Sequence, residues 1–139
     1  MRKAARPKIL ENVAQMLSYG LHYRHKRESD RDDLKSIVFN MRRNLLSRSA
    51  IDIAVNELID PCNILVPMTG EGGFGFGHLR FQEHLVAKEL TSNRNIDLLP
   101  LLQNIWWRGA LVLFAQMNTN LLWLINDVSN RGEFSHVKV

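Results

Sequence analysis

The chain has 139 residues, 45% hydrophobic and 23% charged, which fits one ordinary folded domain or a small domain with an incomplete neighbour. That size excludes a complete multi-domain signalling enzyme, and the composition excludes a disordered or fibrous polymer. The single cysteine, Cys62, has no internal disulfide partner, and the lack of a cysteine framework points to a reducing, cytoplasmic compartment. The net charge of +4 is uneven: residues 1–50 hold twelve Lys or Arg against five Asp or Glu, and residues 51–139 six against nine. The basic half suits nucleic acid or an acidic protein surface.

The start, Met1 to Pro7, is basic without the apolar core of a signal peptide. Pro7 suits the first turn of a helix, in which Ile9, Leu10, Val13, Ala14, Met16 and Leu17 form one stripe, and Gly20 is expected to end it. Leu21 to Arg27 alternates apolar and polar residues, which predicts a short strand or a loop. Ser29 or Asp30 caps a second helix with the stripe Leu34, Ile37, Val38, Met41 and Leu45, and with Arg42 and Arg43 near its C-terminal end. Ser49 and Asp52 then open a third helix, carrying Ile51, Val55, Leu58 and Ile59, which Pro61 stops.

Ile64, Leu65 and Val66 predict a strand, and Phe74, Phe76 and His78, alternating with Gly75 and Gly77, predict a second. The glycine-rich turn Thr69 to Gly73 makes the segment 63–78 a β-hairpin with a long tip. Three helices followed by a two-stranded wing describe a winged-helix domain. Leu79, Phe81, Leu85, Val86 and Leu90 continue it with a further helix.

Beyond that helix the apolar residues crowd: Leu98 to Trp106, Leu111 to Phe114 and Leu121 to Ile125 are too dense for narrow stripes. Short helices buried on more than one side are expected, as in a helical bundle or repeat. The longest apolar region, from Ile96 to Ile125, is interrupted by Gln103, Asn104, Arg108, Gln116, Asn118 and Asn120, so no membrane span is expected. The fold class is thus mainly α with a small β-hairpin: a winged-helix domain over residues 1–92, and the start of a helical region over 93–139.

Chemical motifs are sparse. The glycine run from Gly70 to Gly77 has no closing Lys and Ser or Thr, and Glu71 would repel phosphate, so it is a turn rather than a phosphate loop. His78 and His84 are six residues apart, whereas two ligands on one helical face stand three or four apart. Cys62, at a helix exit, is expected to pack as a small apolar group. His78 ends a strand just before a helix, where its imidazole can point out of the domain and donate to a phosphate oxygen held elsewhere.

The string from Phe74 to Leu90, FGFGHLRFQEHLVAKEL, resembles the end of the winged-helix domain of NACHT-type STAND NTPases, a family that includes bacterial defence proteins and animal inflammasome sensors. The family pattern is Phe-x-His, three residues, Gln-Glu, an aromatic, one residue and Ala-Ala. Phe76, His78, Gln82, Glu83 and Ala87 match in register, while Gly77, His84 and Val86 depart from it. The likeness extends more weakly over the helices before it and into Trp106-Trp107-Arg108.

This resemblance implies that His78 touches the β-phosphate of ADP bound by a separate P-loop domain of the same parent protein. The contact would latch a closed state whose release by ATP permits homo-oligomerisation, with signalling in antiviral defence one setting. ADP or ATP with Mg would be cofactors of that parent and not of this chain, which has no Walker motifs and is not expected to be an enzyme. Gln82 and Glu83 are expected to be structural, bonding the wing, helix backbone or a basic neighbour, and Arg80 to be solvated or to meet a partner domain.

The competing reading is a nucleic-acid-binding winged helix. The third helix, Ser49 to Asp60, would enter the groove, yet it carries Asp52, Glu57 and Asp60 and no cation, which opposes it. The basic residues lie instead around His22 to Arg27 and Arg42 to Arg48. A helical scaffold for protein partners is the third reading.

Overall fold

The computed structural model describes residues 6–41, 46–69 and 72–118. Its elements are α1 (Pro7–Tyr23), β1 (Glu28–Asp30), α2 (Arg31–Met41), α3 (Arg48–Ile59), β2 (Val66–Pro67), β3 (Gly73–Gly75), α4 (Leu79–Ser92), α5 (Leu99–Leu102) and α6 (Arg108–Met117), with a 3-10 turn over Ile105–Trp107. The fold is mainly α-helical, with a small three-stranded antiparallel sheet in the order β1-β3-β2. Residues 42–45 and 119–139 lie outside the described part, and with them the expectations for Arg42, Arg43, Leu45 and the Leu121–Ile125 run.

α1 starts at Pro7, where the missing N–H costs no helical bond, and buries Val13, Ala14, Met16, Leu17 and Leu21. Gly20 does not end it. The helix continues to Tyr23 because α2 crosses at Gly20 so closely that a Cβ there would overlap Ile37 Cγ2. The glycine therefore serves helix–helix approach, and α1 accepts its cost of roughly 0.5–1 kcal/mol in helix propensity. The expected strand or loop over 21–27 is corrected in part: Leu21 and His22 are in the last helical turn and fully buried, residues 24–27 form the loop, and the strand starts at Glu28.

Asp30 caps α2, its Oδ1 accepting the Asp33 N–H at 2.8 Å, and Leu34, Ile37 and Val38 are buried as expected. α3 is capped by Ser47 rather than Ser49: Ser47 Oγ accepts from the Ala50 N–H at 3.1 Å, which puts Ser49 inside the helix. Ile51, Val55 and Leu58 face the core, and Lys35 pairs with Asp52 across α2 and α3.

The expected two-stranded hairpin is present but shorter, and a third strand joins it. Ile64 and Leu65 donate their N–H groups to the Leu58 carbonyl at 2.9 and 3.0 Å, completing the exit of α3, so pairing begins only at Val66. β3 ends at Gly75, and Phe76 turns into the core, 4% exposed, in an edge-to-face contact with Phe81. β1 pairs with the other edge of β3, Glu28 opposite Gly75 and Asp30 opposite Gly73. A Cβ on Gly75 would strike the Arg27 carbonyl, so this glycine permits the close approach.

Two hydrophobic clusters result. The first joins α1, α2, α3, Leu65, Phe76 and Leu85. The second joins Val86, Ala87 and Leu90 of α4 to Leu98, Leu101, Trp107, Ala110 and Phe114. α4 contributes to both, packing against α1 and α6. On α6 only Ala110 and Phe114 are buried; Val112, which lines one surface pocket with Leu102 and Ile105, is open, so among the described residues α6 is covered on one side rather than on several.

Candidate functional site

The motif residues from Phe76 to Ala87 separate by burial. Phe76 and Ala87 are core groups, one in each hydrophobic cluster. Gln82 is 1% exposed, and its Nε2 donates to the Lys26 carbonyl at 3.0 Å and lies 3.1 Å from His22 Nδ1. It thus ties the start of α4 to the loop after α1. Glu83 is buried over the first turn of α6, where its carboxylate fills the space a Cβ on Gly109 would take. The largely exposed Arg80 guanidinium lies 3.9 Å from it.

His78 differs from all of these. It is the residue at the start of α4, with extended backbone (φ −117°, ψ 136°), and its carbonyl accepts the Phe81 and Gln82 N–H groups at 3.1 and 3.2 Å. Its imidazole is exposed and has no hydrogen-bond or ionic partner among the described residues. The preceding Gly77 has φ +86°, a conformation that side chains with a Cβ rarely adopt. The glycine that departs from the family pattern is therefore required by the path that turns the chain from β3 into α4.

One neighbour of His78 was not singled out from the sequence. Arg27 Nη2 donates to the Gly77 carbonyl at 3.2 Å, which brings a guanidinium from the loop before β1 to the peptide that precedes His78. A residue-pattern search misses it because the partners are 50 positions apart; the excess of basic residues from His22 to Arg27 was the available signal.

Behind this edge lies a buried junction. His22 is fully buried, its ring stacked on Trp106 at 4.5 Å between centroids and edge-on to Trp107 at 4.7 Å. The Gln82 amide uses its NH2 on the Lys26 carbonyl, so it also faces His22 Nδ1 as a donor, which assigns the neutral ring with its proton on Nε2. That Nε2 has no hydrogen-bond partner. Burial, opposed by a smaller backbone effect from Trp106, lowers the His22 pKa to about 4. Trp106 Nε1 donates to the His22 carbonyl at 2.8 Å, and His25 stacks on the same indole at 5.3 Å. The junction is packing rather than chemistry.

Other candidates disperse. Cys62 is exposed, not packed as an apolar group, because it follows the end of α3 in an outward turn. No group of three His, Cys, Asp or Glu among the described residues is arranged to hold a metal ion. No helix among them is long and apolar enough to cross a membrane. The outer surface of α3 presents Asp52 and Asp60 alongside Arg48, and the Arg48 guanidinium lies over the Phe39 ring at 4.0 Å.

The sequence matches no protein-family model and no curated protein, and no solved structure matches the chain.

Proposed function

We propose that this chain is the regulatory winged-helix module, with the start of the following helical region, of a NACHT-like nucleotide switch. In this reading His78 contacts the β-phosphate of ADP held by a separate P-loop domain and latches the closed state. The observation that carries it is the contrast within one motif: Phe76, Gln82, Glu83 and Ala87 are buried, while the His78 imidazole alone is exposed and unpartnered. The order helix, strand, two helices, two strands also supports a winged helix.

The chain's own share in such a switch is small and definite. It offers one exposed imidazole donor at the start of α4, and the phosphate cradle and Mg-binding acid would come from the partner domain. A charge-assisted bond to phosphate contributes roughly 1.5–3 kcal/mol, enough to shift a two-state equilibrium by about tenfold or more. Oligomerisation in an antiviral or other signalling response follows from the same reading, with the trigger supplied outside these residues.

The test is nucleotide occupancy of the protein in which this module follows a P-loop domain. His78→Ala is expected to lose bound ADP during gel filtration and to activate at a lower stimulus. Equal ADP retention and an equal activation threshold in the variant would sink the latch. Duplex binding that weakens steeply with salt would instead favour the nucleic-acid reading, which the acids on α3 oppose.

A further inference from the structure

Arg27 is exposed but not loose. Its neighbour Lys26 is held from both sides, its N–H bonded to the Leu21 carbonyl at 2.9 Å and its carbonyl accepting from the buried Gln82 at 3.0 Å. On the other side Glu28 enters β1 in register with Gly75. The guanidinium then reaches the Gly77 carbonyl at 3.2 Å. Backbone and side-chain tip are both placed before any ligand arrives, so little of the flexibility of a surface arginine remains to be lost on binding.

The nearby carboxylates are turned elsewhere. Glu28 accepts from Thr69 Oγ1 at 2.8 Å and lies against Gly73, at the tip end of the sheet. Glu83 faces Gly109 of α6. Among the described residues Arg27 therefore has one of its five N–H donors on a neutral carbonyl, that of the peptide joining Gly77 to His78, and both the Arg27 and His78 side chains are exposed. A guanidinium fork bonded to the peptide that precedes an exposed imidazole suits one polyanionic, multi-oxygen ligand.

We propose that Arg27 is a second phosphate-contacting residue, which grips together with His78 the diphosphate of a bound nucleotide. The inference rests on the reading of His78 as a phosphate-facing group, and it adds a residue and a ligand class to that edge. His78 supplies one directional donor, and Arg27 supplies the charge and the two-pronged geometry.

Inorganic pyrophosphate titrated into the purified chain at about 0.15 M salt, followed by NMR of the His ring and Arg Nε–H signals, reads this directly. His78 and Arg27 are expected to shift along one saturation curve, and Arg27→Gln to weaken pyrophosphate binding about tenfold or more, with Arg27→Lys in between. Arg94→Gln is the charge control, because Arg94 follows the far end of α4, about 20 Å away at 1.5 Å per residue. Pyrophosphate binding that Arg27→Gln leaves unchanged, or weakens only as Arg94→Gln does, would overturn the proposal, as would the absence of any shift at both residues. The latch fails separately: should His78→Ala leave ADP retention intact in the P-loop-containing protein while the pair still binds pyrophosphate, the site stands and the switch does not. Should His78→Ala release ADP and Arg27→Gln not, Arg27 alone is removed from the account.

Discussion

His22 and His78 are the same side chain in opposite surroundings, 56 positions apart and on two sides of the Gln82 junction. His22 is enclosed by two indoles and held neutral; His78 faces solvent with neither nitrogen engaged among the described residues. A histidine spent on packing loses its chemistry, because desolvation penalises the charged form and the ring cannot reach a ligand. A histidine left open at the start of a helix keeps its ring exposed to solvent, where a ligand can reach it. The comparison shows which of two equivalent letters in a sequence is available for binding.

The largest separation between the two regions should come from the junction's main aromatic. Trp107 is 2% exposed and touches both Tyr19 and His22, so Trp107→Ala is expected to lower unfolding free energy by about 3–5 kcal/mol. His78→Ala should stay within about 0.5 kcal/mol of the parent chain. Urea denaturation measures both, and a large cost at His78 would mean that its ring packs in a way the structure does not show.

Acid sharpens the same contrast. Above pH 6.5 His22 is neutral whether the chain is folded or not. Between 6.5 and about 4 the unfolded chain binds a proton that the folded chain refuses, because burial has lowered the folded pKa. Stability should therefore fall as pH drops through that window, by up to about 1.4 kcal/mol per unit and at most about 3 kcal/mol in all, and level off below it. Comparing unfolding curves of the parent and His22→Phe from pH 7 to 4 isolates this contribution, and parallel curves would place the proton elsewhere.

The smallest of the three effects concerns the group that joins the two regions. Gln82→Ala leaves the Lys26 carbonyl and His22 Nδ1 without their donor, at an expected cost of about 1–3 kcal/mol. Faster amide exchange should be confined to the 24–27 loop and the first turn of α4. Uniform exchange through α2 and α3 would show that the link is not local.

Much of this architecture was legible in the residue pattern. The stripes of α1 and α2, the apolar face of α3, the glycine-rich hairpin turn and the helix after His78 all follow from local period and turn chemistry, which act within a few residues. The misreadings share one cause. Gly20 looks like a helix stop until Ile37 of α2 is seen against it, and β1 is three polar residues whose strand character comes only from pairing with β3. Ser47 and Ser49 are equivalent cap letters, and the hydrogen bond to Ala50 chooses between them.

The candidate site divides in the same way. The chain order alone placed His78 between a strand and a helix and put Gln82, Glu83 and Ala87 on that helix, because periodicity and punctuation are local properties. Tertiary packing decided that Gln82 anchors Lys26, that Glu83 covers Gly109, that His22 is sealed between Trp106 and Trp107, and that Arg27 stands beside Gly77. Those relations join residues tens of positions apart, and contact and burial between such residues exist only once the helices have crossed and the strands have paired.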